Sequence, residues 1–142
     1  MAQAIKEAKL ALAADEFPVG AVIVHQNQII ARAHNQVQTK KNPTFHAEIL
    51  AINSALHALH RKYLIDCEMF ITLEPCLMCF KAISLVKMRR IYISLMNSSD
   101  AYSIERIDPL AFDINHIPEI ITGVSANTMT EIFNAHIKKL QR

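Results

Sequence analysis

In Met69-Phe70-Ile71-Thr72-Leu73-Glu74-Pro75-Cys76-Leu77-Met78-Cys79-Phe80-Lys81-Ala82-Ile83-Ser84-Leu85-Val86-Lys87 the character of the chain changes half-way. Met69–Leu73 is a short apolar run of strand length. Pro75 then suits the opening of a helix, because its missing N–H would lack a helical partner anyway. That helix is predicted from Cys76 to about Lys87. It is apolar nearly all round, which predicts a central position. Arg90-Ile91-Tyr92-Ile93-Ser94 reads as the next strand.

Working outward, residues 2–14 carry Ile5, Ala8 and Leu12 at helical spacing, and Asp15-Glu16-Phe17-Pro18 ends that helix. Val19–Val24 is a buried strand, His25–Gln28 a turn and Ile29–Ala33 the returning strand of a hairpin. Residues 35–43 are polar and end in Asn42-Pro43, a loop signal. Thr44 suits an N-cap for a helix over 46–60 whose core stripe is Ile49, Ile52, Leu56 and Leu59. Toward the other end, 95–118 reads as mixed loop and short helix, Glu119–Thr122 as a last strand, and 126–140 as a helix with basic residues at its end. Helices alternating with strands after an opening hairpin give an α/β fold: a three-layer α/β/α sandwich on a five-stranded mixed sheet.

At 142 residues, 51% hydrophobic and 20% charged, the chain can bury a real core and is expected to form one domain over 1–142. A net charge of +2 says little about partners. No apolar run approaches the ~20 residues of a membrane span, and no apolar stretch follows the amphipathic first residues, so a cytoplasmic protein is expected. The two glycines, Gly20 and Gly123, exclude a glycine-rich phosphate loop. Three cysteines are an odd number, two of them in Cys76-x-x-Cys79, a pattern that favours metal over disulfide in a reducing compartment. Cys67 reads as a small buried hydrophobe.

His46-Ala47-Glu48 and Cys76/Cys79 together supply one imidazole, two thiolates and a free carboxylate. His46, Cys76 and Cys79 fill three corners of a tetrahedral zinc ion, and the fourth is left for water. Glu48, not itself a ligand, can move protons for that water. A helix start lowers thiol pKa values, which favours the thiolates that bind zinc. On an ideal helix Glu48 stands about 200° around from His46, so both reach one pocket only if the pocket lies across the helix end. The other six histidines share no such motif, and the dispersed basic residues read as a solvated surface.

Asn42-Pro43-Thr44-Phe45-His46-Ala47-Glu48-Ile49 and Thr72-Leu73-Glu74-Pro75-Cys76-Leu77-Met78-Cys79 resemble the two motifs of the bacterial tRNA-specific adenosine deaminases, within the cytidine-deaminase-like superfamily. Phe17-Pro18-Val19-Gly20-Ala21-Val22 is similar to that family's first strand. The resemblance implies a Zn2+-dependent hydrolase, with one zinc per chain on His46, Cys76 and Cys79 and with Glu48 as the proton carrier. It implies adenosine-to-inosine conversion at the wobble position of the tRNA anticodon loop, by a homodimer whose partner helps form the RNA surface. It also implies substrate contacts at Asn35, at the Ala47 backbone N–H, facing the base, and at Asn97. The chain departs from the family over Ser94–Asp100, where Met96 and Asn97 replace a basic residue and an acid. Deamination of another nucleobase, such as free guanine or cytosine, is the alternative.

Overall fold

The computed structural model describes residues 1–97 and 103–141. Ser98, Ser99 and Asp100 of the departing run lie outside them. The described elements are α1 (Ala2–Ala13), β1 (Gly20–His25), β2 (Gln28–His34), α2 (Ala47–Leu59), β3 (Cys67–Leu73), α3 (Leu77–Leu85), β4 (Arg90–Leu95), a 3-10 turn at Ile104–Arg106, β5 (Glu119–Thr122) and α4 (Ala126–Leu140). The strands form one sheet in the order β2-β1-β3-β4-β5. β1 runs antiparallel to both β2 and β3, and β3, β4 and β5 run parallel. This is the mixed five-stranded sheet that the alternation of elements predicts.

Strand periodicity sorts β1 between the two faces. Ala21 and Ile23 join the main core, with Ala47, Ala51 and Ala55 of α2 and Phe80 and Ile83 of α3. On the opposite face α1 lies so close to β1 that a Cβ at Gly20 would stand 2.1 Å from the Ala4 carbonyl oxygen. Only glycine permits that approach. Ile5 and Ala8 of α1 meet Met129 of α4 in a second, smaller cluster. Helices therefore cover both faces.

Three expectations need correction. The buried residues of α2 are Ala47, Glu48, Ala51, Ile52 and Ala55; Leu56 and Leu59 only flank the core, and Ile49 lies outside it. Small side chains let the helix rest close to the sheet, so the alanines, joined by Ile52 alone of the expected stripe, mark the inner face. Thr44 does not cap α2. Its hydroxyl donates to Asn42 Oδ1 at 2.8 Å, and His46 takes the N-cap position. Nor is α3 central: it buries Cys79, Phe80, Ile83 and Ser84, but Met78 is 38% and Leu85 61% exposed. An apolar helix on an outer layer has only one face to give to the sheet.

Candidate zinc and catalytic centre

The N-termini of α2 and α3 converge on one cavity. His46 is the N-cap of α2, with φ −74° and ψ 150°, and Cys76 is the N-cap of α3, with φ −67° and ψ 169°. Both backbones are extended. The 200° separation of an ideal helix therefore does not apply to His46 and Glu48, since only Glu48 is inside the helix. This cap geometry brings the two side chains to one place.

His46 Nδ1 stands 3.6 Å from Cys76 Sγ and 3.5 Å from Cys79 Sγ. Ligand atoms of the three residues all lie within 4.8 Å of one another. Zinc bonds of about 2.3 Å to sulfur and about 2.1 Å to nitrogen put tetrahedral N and S ligands about 3.6 Å apart. The donor set and its spacing fit that ion.

The two sulfurs do not titrate alike. Cys76 is held down at about 5, chiefly by the Cys79 thiol hydrogen-bonded to it, against burial and with help from the Cys79 and Met78 amides and His46. Cys79 is driven upward by the Cys76 sulfur, by burial and by Glu48. Two sulfurs in contact share one proton. The expected lowering thus appears at Cys76 alone, chiefly from its partner sulfur and only secondarily from the helix-start amides, and a cation in the triangle is what would release the second proton.

Glu48 is 3% exposed, and its Oε2 has no hydrogen-bond partner among the described residues. Burial pushes its carboxyl up to about 7; its own amide opposes this, and the Cys76 sulfur adds to it. A buried, half-unsatisfied acid is costly to keep for structure alone, and a value near neutral suits an acid–base group.

Asn35 is 7% exposed, and its Oδ1 accepts the Ala47 N–H at 2.9 Å. The Ala47 N–H, expected to face a bound base, is therefore turned to Asn35 instead; it satisfies the first turn of α2 from outside the helix. This bond identifies the carboxamide oxygen, so the NH2 of Asn35 is the edge left for a ligand. Asn35, His46, Glu48, Cys76 and the exposed Asn97 line a cavity of about 200 Å³, together with Phe17, Val19, Leu73 and Glu74. Five of the seven residues proposed from the sequence thus line it, Cys79 stands behind them against His46, and Ala47 meets them through Asn35.

Two acids that the sequence reading left without a role also belong to this region. Glu16 is 1% exposed and accepts the Thr39 N–H at 2.7 Å and the Thr39 hydroxyl at 2.9 Å. Burial raises its carboxyl, but the amides of Thr39, Gln38 and Val37 and the Thr39 hydroxyl outweigh that and hold it below its ordinary range. It braces the loop that carries Asn35 to His46. Glu74, 5% exposed, accepts from the Asn97 and Ile104 amides. Their only sequence signal is an acid set beside a buried strand.

The family model for the cytidine and deoxycytidylate deaminase zinc-binding region matches residues 1–95. The chain belongs to that family. Within it, the tRNA-specific adenosine deaminase of Rickettsia bellii (strain RML369-C) is 35% identical over 147 residues, covering 99% of each chain, so the chain belongs with the bacterial tRNA-specific adenosine deaminases. A solved structure from studies of A-to-I editing by tRNA:A34 deaminases superposes with a TM-score of 0.84 at 33% identity, covering 93% of this chain and 96% of that one. A guanine deaminase from Bacillus subtilis is 35% identical with a TM-score of 0.65, covering 67% of this chain and 61% of its own. The family is a zinc-binding one, and zinc is the cofactor. Among the described residues no helix is long and apolar enough to cross a membrane.

Proposed function

We propose that this chain converts adenosine to inosine at the wobble position of tRNA anticodons, as one domain over residues 1–142 and as a cytoplasmic homodimer. One observation carries the reading: a buried Glu48 with an unpartnered oxygen lines the same cavity as the His46, Cys76 and Cys79 triangle. Full-length likeness to enzymes named for that activity supports it.

His46, Cys76 and Cys79 would hold the ion in this arrangement. Zinc, when bound, lowers the pKa of a water to about 7 and so supplies a nucleophile at neutral pH. Glu48 would accept a proton from the water and deliver it to purine N1, then take the proton of the new C6 hydroxyl and pass it to the amino group, so that ammonia leaves as the C6 carbonyl forms. A carboxyl near 7 can both take and give a proton at physiological pH. The Asn35 NH2 orients the nucleoside, and Asn97 contacts it from the cavity wall. The target base must leave its stack, which a flexible anticodon loop makes cheaper than a duplex would. A partner subunit extends the RNA surface.

Zinc-loaded protein incubated with an anticodon stem-loop carrying wobble adenosine is expected to form inosine, with free adenosine, guanine and cytosine as parallel substrates. Ammonia release from free guanine, without inosine in the stem-loop, would select a second reading, favoured by the likeness to the Bacillus subtilis guanine deaminase. Light scattering on the eluted protein reads the dimer.

A further inference from the structure

Glu74 directly follows β3 and is followed by Pro75 and Cys76. Its carboxylate Oε2 accepts the Asn97 N–H at 2.7 Å. Its Oε1 accepts the Ser103 hydroxyl at 2.8 Å and the Ile104 N–H at 2.7 Å. Its own amide donates to the Leu95 carbonyl at 2.7 Å, one step beyond the Leu73–Leu95 pairing of β3 with β4. All three donors to the carboxylate are neutral groups, and no Lys or Arg pairs with it among the described residues. A buried carboxylate satisfied this way is held by charge-assisted hydrogen bonds, which are short and directional. It also lines the cavity, next to Asn97.

We propose that Glu74 is a positioning residue for the substrate: by tying Asn97 on one oxygen and Ser103 and Ile104 on the other, it sets where Asn97 stands in the cavity wall. The two residues it joins across this link, Cys76 on one side and Asn97 on the other, then move as one unit with the end of β3. The step it serves is binding of the nucleoside, so the inference rests on the deaminase reading above.

Glu74→Gln tests it. A carboxamide oxygen replaces one carboxylate oxygen but not both, and the NH2 then opposes the N–H donors on the other side. The expected result is a KM for the wobble-adenosine stem-loop raised about 10-fold, the scale of one lost hydrogen bond to a charged acceptor. The kcat is little changed, zinc stays at one per chain, and the Asn97 or Ile104 amide exchanges faster with solvent. Ser103→Ala, which keeps the carboxylate and both backbone donors, raises KM by a smaller factor and carries the test if the glutamine variant does not fold. An unmoved KM in both variants overturns the proposal, and so does loss of kcat and zinc with KM unchanged, which marks a purely structural residue. A wild-type protein that deaminates nothing overturns the deaminase reading itself, while faster amide exchange in the variants still shows the carboxylate acting as the tie.

Discussion

Glu48 and Glu74 line one cavity, are both nearly inaccessible, and live in opposite surroundings. Glu48 keeps an oxygen unpartnered and sits beside a cysteine sulfur, so its charged form is disfavoured. Glu74 receives three hydrogen bonds from described residues over its two oxygens. Glu16 repeats the second pattern against the loop that carries Asn35 to His46. The same side chain becomes a proton carrier where the protein withholds donors and a brace where it supplies them. The number of donors separates the two roles, because burial is common to all three.

The contrast can be broken most sharply at Glu48. Glu48→Ala is expected to lower kcat by about 10²–10⁴-fold while zinc content and the melting temperature hold. Single-turnover kinetics and metal analysis check this, and unchanged turnover would remove the proton-carrier role. Asn35→Ala comes next. It strips the Ala47 N–H of its partner and should cost about 1–3 kcal/mol in urea unfolding, together with a raised KM. A normal KM there would make Asn35 a cap and nothing more. The smallest effect is expected at Glu16. Its carboxyl is held below the ordinary 4.5 in the folded protein, so its contribution is fully present above that value and is lost as pH falls through the folded one. Glu16→Gln should therefore be less stable than wild type by about 1 kcal/mol at pH 7. The gap should close as unfolding is repeated toward pH 3. A gap that stayed constant with pH would mean that the carboxylate charge plays no part.

How much of this was legible in the chain follows from distance along it. The His46, Glu48, Cys76 and Cys79 set could be read because each half is compact and stands at a helix start. The mixed five-stranded sheet also followed from the alternation of elements, with boundaries shifted by a residue or two. The braces could not be read. Glu16 reaches Thr39, 23 residues away, and Glu74 reaches Asn97 and Ile104, 23 and 30 residues away. Nothing local marks either pairing. The inner face of α2 was misplaced because hydrophobicity ranks Ile49 and Leu56 above Ala51 and Ala55, while close packing on a sheet rewards the smaller residue. The Ala47 amide was assigned to the base because the sequence does not show that Asn35 returns to meet it.

The strand order also schedules assembly. β1 pairs with β2 through a two-residue turn, but its other edge waits for β3, with Ala21 opposite Ile71. His46 lies between these strands in the chain, and its sulfur partners follow 30 and 33 residues later. At about 5–20 residues per second on a ribosome, that interval lasts a few seconds. The hairpin and His46 leave the ribosome first. The triangle closes only when β3 enters the sheet and carries Cys76 and Cys79 in behind it. Until then an ion meeting the nascent chain finds the imidazole without either sulfur.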